Sequence, residues 1–178
     1  MTDETRIDDL IADLRQGPLE VRRAAAAELG AKGEAAIEPL IAAMLTGDND
    51  LRWYAARALM QIGEGAVGPL LAAMRAGEDR DFRRYGAAAL AGIGAAAVEP
   101  LVGVIENADL DLQPYAAMAL TRIGELAVEP LLRLMKSQDP KTQERAVLLL
   151  WKMGETGGVP LTEALEAERC GERSANSR

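Results

Sequence analysis

Residues 48–77 read DNDLRWYAARALMQIGEGAVGPLLAAMRAG. Leu51, Ala55, Ala58, Leu59 and Ile62 fall at helical spacing and form one apolar stripe. Gly63 follows, at a place where a residue with positive φ commonly closes a helix. Val67, Leu70, Leu71 and Met74 form a second stripe. Pro69 sits near the start of that second stripe, where a missing N–H costs little because first-turn amides lack helical partners anyway. Gly77 ends it, and Asp79 and Asp81 stand where N-caps of a following helix belong. The stretch therefore predicts a helical hairpin, with a first helix A and a second helix B.

The same wording recurs along the chain, in ELGAKGEAAIEPL, ALMQIGEGAVGPL, ALAGIGAAAVEPL, ALTRIGELAVEPL and LLWKMGETGGVPL. Gly33, Gly63, Gly94, Gly124 and Gly154 occupy one column, and Pro39, Pro69, Pro100, Pro130 and Pro160 occupy another, six residues on. Spacings of 30, 31, 30 and 30 residues mark stacked supersecondary units, since one hairpin cannot bury two apolar stripes by itself. The expected fold is all-α, an α-solenoid of five antiparallel helix pairs of about 30 residues each, preceded by a single N-terminal capping helix. The expected repeats are 18–47, 48–77, 78–108, 109–138 and 139–169, within one domain spanning 1–169. Residues 7–17 align with helix B alone and carry Asp8, Asp9 and Asp13, as a cap with a charged outer face should. Residues 170–178 are expected to be a flexible tail.

Composition narrows the chemistry. The chain has 178 residues, no histidine, one cysteine and a net charge of −8. Without histidine a Ser-His-Asp triad is impossible, and no Cys/His zinc set can be built. No P-loop or G-x-G-x-x-G turn occurs, so an enzyme is not expected, and no cofactor is called for. The lone Cys170 cannot form an internal disulfide, which suits the cytosol, and the polar MTDETRIDDL start is no signal peptide. The longest uncharged run, Tyr85 to Val98, has 14 residues, short of a membrane span. A soluble, cytoplasmic protein with no membrane contact is expected.

The segments VRRAAAAELGAKG, LRWYAARALMQIG, FRRYGAAALAGIG and LQPYAAMALTRIG, followed by AIEPL, AVGPL, AVEPL and AVEPL, resemble the short HEAT-like repeat of the phycobilisome-lyase type. The resemblance covers about residues 7–169. It implies that helix A looks inward onto a concave surface. It also implies kinship with bilin lyases, a non-haem iron hydroxylase and adaptor-like proteins. The hydroxylase's metal sites use His-Glu motifs, so that activity does not carry over to a chain without histidine.

Removing the apolar stripe from each helix A leaves the candidate binding face. It comprises Arg23 in repeat one; Trp53, Tyr54, Arg57 and Gln61 in repeat two; and Arg84 and Tyr85 in repeat three. Repeat four adds Tyr115, Met118 and Arg122, and repeat five adds Arg145, Leu148 and Lys152. All three tyrosines of the chain share one column, and six basic residues stand against a single acidic one, Glu144, in an otherwise acidic chain. Tyr, Trp, Met and Arg are types enriched at interfaces. The leading expectation is a scaffold or adaptor that binds an acidic, partly apolar protein segment. The bland alternative is that the tyrosines seal the grooves between neighbouring A helices. A second function is a bilin-handling lyase subunit or chromophore chaperone, with Arg pairing propionates and Tyr stacking on rings. Overall acidity and scarce lysine argue against nucleic acid.

Other columns have structural explanations. Arg22, Arg52 and Arg83 share a column that continues as Gln113 and Gln143, and pairing with Asp48, Asp79 and Asp109 is expected. The acidic loop residues read as N-caps, because EF-hand spacing is absent. Met44, Met74 and Met135 fall beside Ile105 in one helix-B column and read as core. Trp151 and Leu148 make an apolar patch near the C-terminal end, open to docking or to packing under the last helix.

Overall fold

A computed structural model describes residues 3–107 and 109–175, with the side chains of 6–107 and 109–167. Among the described residues there are eleven α-helices and no strand. Helix α1 (Asp3–Gln16) comes first, and its inward face buries Ile7, Leu10 and Leu14. The pairs follow: α2 (Leu19–Ala31) with α3 (Ile37–Thr46), α4 (Asn49–Ile62) with α5 (Val67–Ala76), and α6 (Arg80–Ile93) with α7 (Ala95–Glu106). Then come α8 (Gln113–Ile123) with α9 (Val128–Leu134), and α10 (Pro140–Lys152) with α11 (Glu155–Ala175). The architecture is thus all-α, a cap followed by five helix pairs. Helix α11 continues to Ala175, into the segment expected to be a flexible tail; residues 176–178 lie outside the described residues.

The helix ends follow from residue chemistry. Gly33, Gly63, Gly94, Gly124 and Gly154 all have positive φ, from 64° to 81°. At Gly63 the backbone sits at φ 81°, ψ −136°, and Gly94 and Gly124 are close to it. This is not the left-handed helical cap but a region that a Cβ essentially forbids. In three of the five repeats a single 3₁₀ turn then leads into helix B: at Gly33–Ala36, Glu64–Ala66 and Gly124–Ala127. In α7 the helix starts at Ala95, so Pro100 lies inside it rather than in its first turn.

At the other end of the linker, aspartate caps helix A in three of the five repeats, while Pro18 precedes α2 and Leu112 precedes α8. Asp48 accepts from the Leu51 N–H at 2.9 Å, and Asp79 from the N–H groups of Asp81 and Phe82 at 2.8 and 2.9 Å. Asp139 does the same for Lys141 and Thr142. The expected N-cap role holds at Asp48 and Asp79 but not at Asp109 or Asp111, since Leu112 stands at the N-cap of α8; Asp139 is a further cap. No group of residues that could hold a metal ion occurs among the described residues.

The chain divides into two compact units, Met1–Pro100 and Leu101–Arg178. In the first, α4 packs between α2 and α6, while α3 leans on α4 and α5 on α6. Its core contains Leu40, Met44, Leu51, Leu59, Leu70, Met74 and Phe82, each almost wholly removed from water. Burial of side chains this size contributes about 1.5–3 kcal/mol apiece. In the second unit α10 packs on α8, α9 and α11 around Leu120, Leu131 and Leu150. Met135 and Ile105 are buried like Met44 and Met74, so the methionine column is core.

The arginine column does more than pair charge. Arg52 Nε donates to the Met44 carbonyl at 2.9 Å, and its Nη2 meets the Asp79 carboxylate at 2.6 Å. Arg83 Nε donates to the Met74 carbonyl at 3.0 Å, and Arg22 Nε to the Gly17 carbonyl at 2.8 Å. Gln113 and Gln143 reach the carbonyls of Ile105 and Ser137. In repeats one to four this side chain satisfies a carbonyl in the last turn of the preceding helix, Arg22 through the Arg15 carbonyl at 3.3 Å, whereas in repeat five Gln143 reaches the linker carbonyl of Ser137. Arg22 pairs with Asp50 at 3.3 Å and not with Asp48, whose carboxylate accepts the Leu51 amide.

Candidate functional site

Helix A of each repeat carries the candidate residues, and their register on α2, α4 and α6 is set by the buried stripe beneath. In the first unit α4 is held close to both neighbours by glycine. A Cβ on Gly30 would lie 2.6 Å from the Gln61 Cδ, and one on Gly92 would lie 2.5 Å from the Met60 sulfur. The Gln61 amide donates to the Ala27 carbonyl at 3.3 Å, closing one side of the gap between α2 and α4.

That gap is a half-open hollow of about 330 Å³. Arg23, Ala26 and Ala27 of α2 form one wall, and Tyr54, Arg57, Met60 and Gln61 of α4 form the other. Four expected site residues, Arg23, Tyr54, Arg57 and Gln61, are therefore brought together. Met60 and Ala26 belong to the same hollow but were not in the expected face. The sequence puts Met60 at the groove edge, in one column with Trp151, and a small alanine such as Ala26 carries no signal of its own.

Tyr54 is not a free anchor. It is only 6% exposed, with its ring edge-on to Trp53 at 4.8 Å. Trp53 remains 44% exposed, and the Arg57 guanidinium lies over its ring at 4.9 Å from the centroid. Such a stack holds the guanidinium in place by cation–π attraction and still leaves its N–H groups facing outward. Arg57 has no ion-pair partner among the described residues, whereas Arg23 meets Glu20 at 3.2 Å. On α6, Arg84 lies over the Tyr85 ring at 5.4 Å and pairs with Asp81 at 3.1 Å. Tyr85 is partly buried.

In the second unit Tyr115 and Met118 of α8 are partly buried, and Arg122 is exposed. On α10, Leu148 and Lys152 are exposed, and Trp151 is 71% exposed. Trp151 thus faces solvent and does not pack under α11. Arg145 is partly buried, with its Nη1 enclosed and without a hydrogen-bond partner. Its positive charge adds to the pull that holds Asp139 below the usual carboxylate range, a shift caused chiefly by the Thr142 hydroxyl. Asp79 is likewise lowered, first by the Phe82 amide and then by Arg52.

A family model described as HEAT repeats matches residues 7–91 and again 67–151. No curated protein matches the chain. Among solved structures, the complex of CpcE and CpcF of phycocyanin lyase from Nostoc sp. PCC7120 is similar at 21% identity, covering 83% of this chain and 99% of that one, with a TM-score of 0.45. An engineered protein is similar at 24% identity over 94% of this chain and 87% of that one, with a TM-score of 0.35. A computationally designed armadillo repeat protein for modular peptide recognition is similar at 18% identity over 90% and 92%, with a TM-score of 0.34. Scores and identities this low carry no argument about function. No helix among the described residues is long and apolar enough to cross a membrane.

Proposed function

The chain belongs to the HEAT-repeat family, and on that footing we propose that it is a non-catalytic scaffold whose helix-A faces bind an acidic, partly apolar segment of another protein. The observation that carries this reading is the placement of cations. In a chain of net charge −8, Arg57 and Arg122 project from helix-A faces without an ion-pair partner among the described residues. Each has an aromatic or thioether residue one turn or less away: Trp53 and Tyr54 beside Arg57, Met118 beside Arg122. Opposite charge on a partner speeds encounter and selects against basic segments, while exposed rings supply contact area at little entropic cost.

Selection from a displayed random peptide library tests the reading. It expects enriched peptides that combine Glu or Asp with Leu, Phe or Trp. It also expects at least a tenfold loss of affinity in the Arg57→Gln, Arg84→Gln, Arg122→Gln triple variant, whose three side chains are exposed and cost the fold little. A Tyr54→Ala, Tyr85→Ala, Tyr115→Ala variant that retains its helical circular dichroism should lose binding as well. Enrichment of basic or neutral peptides, or unchanged affinity in the arginine variant, overturns it.

A further inference from the structure

The hollow between α2 and α4 has the makings of a specific subsite, and this inference rests on the binding function proposed above. Two guanidinium groups, Arg23 and Arg57, stand on its opposite walls, and no carboxylate lines it. Arg23 is shared with Glu20 on the exposed side, while Arg57 has no acidic partner among the described residues. Between them stands Tyr54, a largely buried ring whose hydroxyl has no hydrogen-bond partner among the described residues and is not among their enclosed unpartnered atoms, so it meets solvent. Tyr54 belongs to a wall of the hollow, and its solvent-open hydroxyl is a donor for a group that enters. The remaining lining, Ala26, Ala27 and the Met60 thioether, is apolar and soft.

We propose that this hollow seats one glutamate or aspartate side chain of the bound protein segment, with a neighbouring apolar residue against Met60. The carboxylate would accept from Arg57, from Arg23 and from the Tyr54 hydroxyl. Charge complementarity singles out an acid over an amide, and the planar guanidinium fork suits a carboxylate. Gly30 is part of the construction: it lets Gln61 lie close over α2 and so sets the width of the entrance. The volume of about 330 Å³ accommodates one side chain with its flanking residue, not a folded domain.

The test is titration of the isotope-labelled full chain with two capped tripeptides, acetyl-Leu-Glu-Leu-amide and acetyl-Leu-Gln-Leu-amide, followed by amide chemical shifts. The glutamate peptide should perturb Ala26, Ala27, Arg57 and Gln61. It should bind roughly tenfold more tightly than the glutamine peptide, the usual worth of a charge-assisted hydrogen bond. Arg57→Gln should abolish that preference. Tyr54→Phe, which keeps the ring and removes only the hydroxyl, should weaken it about threefold by losing one uncharged donor. Equal binding of the two peptides overturns the proposal, as does a preference that survives Arg57→Gln. Tighter binding of inorganic phosphate at the same residues also overturns it, in favour of a phosphate site. If acidic library peptides bind the chain but ignore Arg57→Gln and Tyr54→Phe, this subsite is wrong and the broader binding reading stands. If the tripeptide behaves as expected but no acidic library peptide is enriched, the broader reading is the one that falls.

Discussion

Arg52 closes the end of helix α3: its Nε donates to the Met44 carbonyl across 2.9 Å. The last carbonyls of a helix have no partner within it, and burial makes an open one costly. Arg52 is 8% exposed, and its second nitrogen is held by Asp79, the cap of α6. One side chain thus ties the end of one helix to the start of another within the first unit.

Arg52→Ala should destabilise the protein by about 2–4 kcal/mol, because it opens a buried carbonyl and removes a partly buried pair. Arg52→Gln should cost about half as much, since Gln113 makes the equivalent bond to Ile105 in the last turn of α7 at 3.5 Å. Urea denaturation checks both values. Equal losses for Ala and Gln would show that the ion pair matters and the carbonyl bond does not.

Stability should fall in acid. Asp79 and Asp139 have folded-state pKa values lowered from 3.8, the first mainly by the Phe82 amide and the second mainly by the Thr142 hydroxyl. A depressed carboxylate pKa contributes stability that is present above the unfolded value and lost as pH falls through the folded one. The urea midpoint should therefore hold from pH 7 to about 5 and drop below about pH 4. The drop should be smaller in an Asp79→Asn, Asp139→Asn variant. A midpoint that rises on acidification would reverse the sign of this linkage.

Two glycines in equally open surroundings should respond in opposite directions. Neither Gly63 nor Gly68 would bring an added Cβ within 4 Å of another group. Gly63 sits at φ 81°, so Gly63→Ala should cost about 1–3 kcal/mol. Gly68 lies in α5, so Gly68→Ala should add about 0.5–1 kcal/mol. Thermal unfolding of the two variants measures the difference. A loss at both positions would mean that backbone conformation is not what selects glycine at 63.

Much of this was readable before any coordinates. The glycine column, the aspartate caps and the methionine core are each fixed by interactions within about one repeat, where periodicity is a direct guide. The burial of Tyr54 was readable only as the alternative to a binding anchor, a ring that seals the groove against its neighbour's alanines. Three tyrosines share a column, but Tyr54 faces Ala26 and Ala27 across the gap and sinks between helices. The arginine column was read as charge pairing, since sequence shows opposite charges but not which carbonyls lie within reach. Met60 was readable only as a groove-edge residue in one column with Trp151, because Gly92, 32 residues away, decides how it lies.

The patch on α10 should be dispensable for folding. Trp151→Ser, at a position 71% exposed, should change stability by no more than about 0.5 kcal/mol, whereas Phe82→Ala, fully buried, should cost about 3–5 kcal/mol. Denaturant midpoints check the pair. A large loss at Trp151 would mean that it is packed in solution.

Mapping amide shifts on the labelled chain with an enriched acidic peptide tests the central claim most directly. The account predicts that the largest changes fall on helix-A residues of the first unit, led by Trp53, Tyr54, Arg57 and Gln61 and extending to Arg84, and that they shrink as salt is raised. Changes concentrated instead on the helix-B side, around Glu38, Gly68 and Glu99, would contradict it.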